Sequence, residues 1–166
     1  MKSVLFVCTG NTCRSPMAAA LLKHYAEQAG IAVRTASAGL GAFTGDPASE
    51  GAVAAMSELG VDLASHRSRK FHPALAEEFD LILVMTKSHK DQLLQLAPEL
   101  AAKVYLLQEY EDSLKSQEEL AETREKVYGI TDPFGGSVEV YRQVRDEISQ
   151  AVQAIVDAWQ QEEGKQ

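Results

Sequence analysis

Three observations predict an α/β fold built on a parallel sheet. Two short, wholly apolar runs, Val4–Val7 and Leu81–Met85, have the length and composition of strands buried on both faces. Between and after them, apolar residues recur at three- and four-residue spacing, as on amphipathic helices. Glycines and prolines mark the boundaries, and the resulting alternation of strand and helix implies a parallel sheet covered on both sides.

The elements follow in order. Ser3–Cys8 is the first strand, bounded by a turn that contains Gly10. Ser15 and Pro16 resemble an N-cap and a first-turn proline, and Met17, Leu21 and Tyr25, with Ala18, Leu22 and Ala29 beside them, form a helical stripe that stops at Gly30. Ile31–Ser37 holds the second strand. Asp46–Pro47 is expected to open a helix with Val53, Met56 and Leu59 inward and Gly60 as its stop. Leu81–Met85 reads as a central strand, and Thr86 caps a helix that ends before Pro98. Val104–Leu107 is a fourth strand nearer an edge. Val140, Val144, Ile148, Val152, Ile155 and Trp159 mark a long C-terminal helix.

Length and composition bound the function. The 166 residues are expected to form one domain, 1–166, with an ordinary hydrophobic content of 45%. A net charge of −8 argues against a nucleic-acid partner or a generally basic membrane surface. The two cysteines, Cys8 and Cys13, are too close in sequence for a long-range staple, so a disulfide framework is not expected. No signal peptide or membrane span is recognisable, and the cytosol is the expected compartment.

The segment Cys8–Thr9–Gly10–Asn11–Thr12–Cys13–Arg14–Ser15 joins the first strand to the first helix. In parallel sheets ligands sit beyond the carboxyl ends of strands, and Cys8 lies at such an end. A loop here can turn successive N–H groups inward, with the helix dipole adding positive potential, which makes an anion cradle. Gly10 allows unusual backbone angles, and Asn11 tolerates the left-handed region. Arg14 can place a planar fork on two phosphate oxygens. The same field favours a thiolate on Cys8, and a thiolate facing a held phosphorus is a nucleophile. Taken alone, Cys8 equally fits a buried strand-end residue. The nucleotide-binding pattern G-x-x-x-x-G-K-[ST] is absent.

C-x5-R-S-P directly after the first strand resembles the low-molecular-weight protein tyrosine phosphatase family. So do Ser37–Gly39 (SAG), Ser65–Arg69 (SHRSR), Leu83–Thr86 (LVMT) and Asp132–Ser137 (DPFGGS). The resemblance implies a sheet of order 2-1-3-4 with Cys8 as nucleophile, Arg14 as phosphate clamp and Asp132 as general acid. It also implies a polar network of Asn11, Ser15, Ser37 and His66 that holds the loop. No metal or cofactor is implied. The expected partners are phosphorylated proteins, with inorganic phosphate as product, and the expected state is a monomer. On their own residues, Asp132–Pro133 would also suit a plain turn, and His66 a surface or cap position.

Within the family, Thr12 and DPFGGS resemble the protein arginine phosphatase branch. A threonine hydroxyl can accept a hydrogen bond from a guanidinium where a bulky aliphatic residue would strand it. Phe134 would wall a flat side chain, and Gly135 and Gly136 would permit a tight turn. Phosphotyrosine is the alternative substrate. Thiol-dependent arsenate reductases share the loop but need downstream cysteines, and none follows Cys13. A redox-sensing or anion-binding module, with Cys8 and Cys13 forming a disulfide, is the alternative of another class. Residues 109–130 resemble an insertion before Asp132. Glu118, Glu119, Glu122 and Glu125 suggest a solvated helix there, either a plain surface excursion or a lid beside the site.

Overall fold

A computed structural model describes residues 1–115 and 128–164. Four parallel strands, β1 (Lys2–Cys8), β2 (Val33–Gly39), β3 (Leu81–Val84) and β4 (Val104–Leu106), form one sheet in the order β2-β1-β3-β4. The registers run Val4↔Thr35 to Cys8↔Gly39, Val4↔Leu81 to Val7↔Val84, and Ile82↔Val104 to Val84↔Leu106. The helices are α1 (Arg14–Gln28), α2 (Glu50–Ser57), α3 (Pro73–Glu77), α4 (Lys87–Leu96), α5 (Leu107–Ser113) and α6 (Val138–Gly164), with a 3-10 turn at Pro98–Lys103.

The central strand β1 shows why its run is continuously apolar. Val4, Phe6 and Cys8 face one layer, with Met17, Leu21 and Leu22 of α1 and Val144, Ile148 and Val152 of α6. Leu5 and Val7 face the other, with Leu75 of α3, Leu93 of α4, and Phe79. Alternate side chains from Val4 to Cys8 therefore enter two separate cores, so none of these positions meets water and none needs to be polar, whereas Lys2 and Ser3 at the start of the strand are partly exposed and polar.

Several boundaries differ from the sequence reading, each for a tertiary reason. Ser15 is not the cap of α1: the helix starts at Arg14, with Cys13 before it making no side-chain cap, and the Ser15 hydroxyl turns to the Cys8 sulfur instead. Asp46–Pro47 opens no helix. The Asp46 backbone is tied to Ser68 on both sides, Pro47 bridges to Arg67, and α2 begins after a cap at Ser49. Leu59 is exposed, because it lies beyond the end of α2 where the helical period no longer applies. Leu107 begins α5 rather than ending β4, and the short α3 carried no clear periodic signal. The Thr86 cap is as read, with its hydroxyl accepting from the His89 N–H at 3.3 Å. Of the expected 109–130 insertion, residues 116–127, with the glutamate-rich helix placed there, lie outside the described residues. Leu114 at its near end packs against the α6-side core.

Candidate active site

Cys8 ends β1 and is 2% exposed, at the floor of a pocket of about 300 Å³. The loop that follows curls over it. Asn11 is its left-handed residue, at φ 57°, and Gly10 lies outside that region. Asn11 is wholly buried and holds the loop together. Its Nδ2 donates to Ser15 Oγ at 2.9 Å, its Oδ1 accepts from the Arg69 N–H at 2.9 Å, and its carbonyl accepts from His66 Nε2 at 2.7 Å. Ser15 Oγ lies 2.9 Å from Cys8 Sγ. Because that oxygen already accepts from Asn11, its own proton is free to point at sulfur.

Ser37 joins the network differently from expectation: its backbone carbonyl accepts from Arg69 Nε at 3.1 Å. Arg69 therefore links strand β2 to the loop, a role the SHRSR motif contained but sequence reasoning did not assign. Desolvation lowers the His66 pKa from its ordinary value; the bond to Asn11 opposes this, while Arg67 and Arg69 add to it.

Arg14 is 5% exposed at the start of α1. Its Nη1 donates to the Ile130 carbonyl at 3.0 Å, and its Nη2 lies 3.7 Å from Asp132 Oδ2. The Ile130 N–H in turn donates to the Met85 carbonyl at 2.9 Å, anchoring the Asp132 segment to the end of β3. Asp132 is solvent-exposed, and its Oδ1 accepts from the Phe134 N–H at 3.1 Å. The turn after it closes with the Gly136 N–H on the Pro133 carbonyl at 2.8 Å, with Gly135 at φ 76°.

The same pocket is lined by Thr9, Thr12, Cys13, Asp132 and Phe134, so the structure brings the two distant motifs to one place. Phe134 is 72% exposed there, which excludes a core-packing role. Cys8 and Cys13 are both free, and the Cys13 thiol lies 3.1 Å from Ser49 Oγ and 3.6 Å from the Tyr141 hydroxyl. Sequence reasoning missed three neighbours. Phe43, 79% exposed, and Asp46 line the pocket from the loop after β2, which has no periodicity to reveal them. His89 reaches Thr9 from α4, a helix on which the sequence reading singled out no residue beyond the Thr86 cap.

Comparison with known proteins places this geometry. The family model described as low molecular weight phosphotyrosine protein phosphatase matches residues 3–165. A protein-arginine-phosphatase of Bacillus subtilis is 38% identical over 92% of this chain and 93% of its own length. A probable low molecular weight protein-tyrosine-phosphatase, EpsP, of Ralstonia nicotianae is 34% identical over 96% of this chain and 94% of its own. Among solved structures, the YwlE arginine phosphatase from Geobacillus stearothermophilus superposes with a TM-score of 0.85 at 36% identity, covering 99% of this chain and 97% of that one. A YwlE arginine phosphatase mutant carrying a phosphorylated active-site serine gives 0.83 at 36% identity, with 93% of each chain covered. With a strand-end cysteine under an arginine-bearing loop, and a family match over nearly its whole length, the chain belongs to the low-molecular-weight protein phosphatase family.

Proposed function

We propose that this enzyme hydrolyses phosphoarginine in proteins through a phosphocysteine intermediate. The observation that carries the reading is that Cys8, Thr12, Arg14, Asp132 and Phe134 line a single pocket. The Ser15 hydroxyl, aimed at sulfur by Asn11, stabilises a Cys8 thiolate. That thiolate attacks phosphorus while Arg14 and the loop amides hold the equatorial oxygens, whose charge they stabilise most in the transition state. Asp132, at the pocket mouth, gives its proton to the departing nitrogen as the P–N bond breaks. In the second half the Asp132 carboxylate takes a proton from water as it attacks the phosphocysteine, releasing inorganic phosphate and restoring Cys8. A positioned acid of this kind contributes about 10²–10⁴-fold.

Thr12 and Phe134 support arginine as the leaving group. The hydroxyl of Thr12, partly exposed in the pocket, can accept from a guanidinium N–H, and the Phe134 ring offers a flat apolar wall. The likeness to arginine phosphatases of two bacteria, at 38% and 37% identity, points the same way. The reduced thiol this chemistry needs suits the cytoplasm. No helix among the described residues is long and apolar enough to cross a membrane.

The deciding measurement is kcat/KM on matched phosphoarginine and phosphotyrosine peptides, with Cys8→Ser as the inactive control. Phosphoarginine is expected to be preferred, and Thr12→Ile to remove most of that preference. Preference for phosphotyrosine would leave the cysteine chemistry standing and overturn the substrate reading.

A further inference from the structure

His89 stands in the first turn of α4, against the phosphate loop, and no step above uses it. It is 4% exposed. Its Nε2 shares a hydrogen bond of 2.8 Å with the Thr9 hydroxyl, and its Nδ1 is buried with no partner among the described residues. Burying a ring nitrogen unpaired is unfavourable. One turn further along the same helix, Leu93 fills the equivalent inward position with an apolar side chain and is fully buried. Packing alone would therefore favour leucine at position 89 as well. What the imidazole adds over leucine is its tie to the residue directly after Cys8.

That tie completes a clamp. From one side, His66 and Arg69 hold Asn11. From the β2 side, the Gly41 N–H donates to the Thr9 carbonyl at 2.9 Å. The Thr9 hydroxyl projects from an exposed stretch of loop and would turn to water if His89 did not engage it. Burial, reinforced by the Arg14 cation and opposed by the Asp132 carboxylate, lowers the His89 pKa to about 4, so the ring is neutral at physiological pH.

We propose that His89 is a positioning residue for the phosphatase reaction: by holding the Thr9 hydroxyl it fixes the first residue of the loop, and with it the aim of the loop amides and the Cys8 sulfur at the transferring phosphoryl group. This assignment rests on the reading of the Cys8 loop as the phosphate cradle. His89 touches no reacting atom and acts through Thr9. A loosened loop still binds phosphate through Arg14 but meets the transition state less well, so the loss falls on kcat more than on KM.

The test is steady-state kinetics and thermal unfolding of His89→Leu, His89→Gln, Thr9→Val and the double variant His89→Leu/Thr9→Val. His89→Leu is expected to keep or raise the melting temperature while kcat falls about tenfold to a hundredfold with KM little changed. His89→Gln, whose amide can still bond the Thr9 hydroxyl, is expected to recover most of the rate. The double variant should be no slower than the slower single one, as for two residues acting through one bond. Unchanged kcat in His89→Leu overturns the assignment, as does a rate loss that only tracks lost fold, or losses that multiply in the double variant. If the unsubstituted protein has no Cys8-dependent turnover, the phosphatase reading itself fails, and that result is distinct from turnover indifferent to position 89.

Discussion

A methyl group added at Gly39 would stand 2.5 Å from the Thr9 carbonyl oxygen and 2.9 Å from the Asn11 amide nitrogen. The last glycine of SAG is therefore the floor on which the Cys8 loop rests, and its lack of a side chain is a requirement of that loop's packing. Gly39→Ala gains up to about 1 kcal/mol in strand propensity but loses about 1–3 kcal/mol to the clash, so the clash decides. A lower melting temperature and a larger loss in kcat/KM are expected together. The histidines set a pH dependence at the same scale. Both His66 and His89 have native pKa values below the ordinary 6.5, so the unfolded chain binds protons that the native state resists. Above pH 6.5 both rings are neutral folded or unfolded and the protonation-linked cost vanishes; stability falls as the pH drops below it, for His89 until about pH 4. Chemical denaturation at stepped pH should show that fall, and His89→Gln should flatten it. Glu58, held near a pKa of about 2 by Arg142 and Arg145, has the opposite sign. Its contribution is present above its ordinary value of 4.5 and is lost as the pH falls toward 2.

Among the elements, α1 differs from α2, α3 and α4 in its beginning. Those three are capped by the side chains of Ser49, His72 and Thr86, whereas Cys13 gives α1 no side-chain cap. Uncapped first-turn amides at the end of a parallel strand are the donors an anion needs. The polar residue that looked like a cap, Ser15, serves the sulfur instead. The second element-level feature is the seat of α2 on α6. A Cβ at Gly51 would collide with the Tyr141 ring, and the Tyr141 hydroxyl lies 3.6 Å from the Cys13 sulfur behind the loop. Gly51→Ala would raise helix propensity by up to about 1 kcal/mol, yet overpacking of about 1–3 kcal/mol outweighs it. A drop in melting temperature is expected, and one that disappears in Gly51→Ala/Tyr141→Leu, where the ring is gone.

At the scale of the whole molecule, site and fold share their supports. Arg14 bonds Ile130, Ile130 bonds Met85 at the end of β3, and the Asn11 network reaches β2 through Arg69 and Ser37. A ligand that binds only this assembled loop stabilises the entire fold by mass action. Inorganic phosphate at a hundred times its dissociation constant should add about 2.7 kcal/mol, read as a rise in melting temperature. Arg14→Ala should abolish most of that rise. A rise that survives Arg14→Ala would mean phosphate binds elsewhere.

The strands β1 and β3, the stripes of α1 and α6, and the stop signals at Gly30 and Gly60 were legible because they depend on local patterns. A run buried on both faces must be apolar throughout, and a helix packed on one side must repeat its apolar residues. The placement of the Cys8 loop was legible for a related reason: cysteine, left-handed asparagine and arginine lie within one turn between strand and helix, so their spacing is their geometry. Tertiary structure alone decided the rest. Asp132 lies far along the chain from Cys8, and only the anchoring of Ile130 to β3 and Arg14 brings its carboxylate within 3.7 Å of the guanidinium. Ser15 could cap a helix or serve a sulfur, and the choice depended on where Asn11 donates. Phe43, Arg69 and His89 meet the loop from three separate segments. No periodicity encodes such meetings, because they are set by how the layers stack across the sheet and not by the order of residues along it.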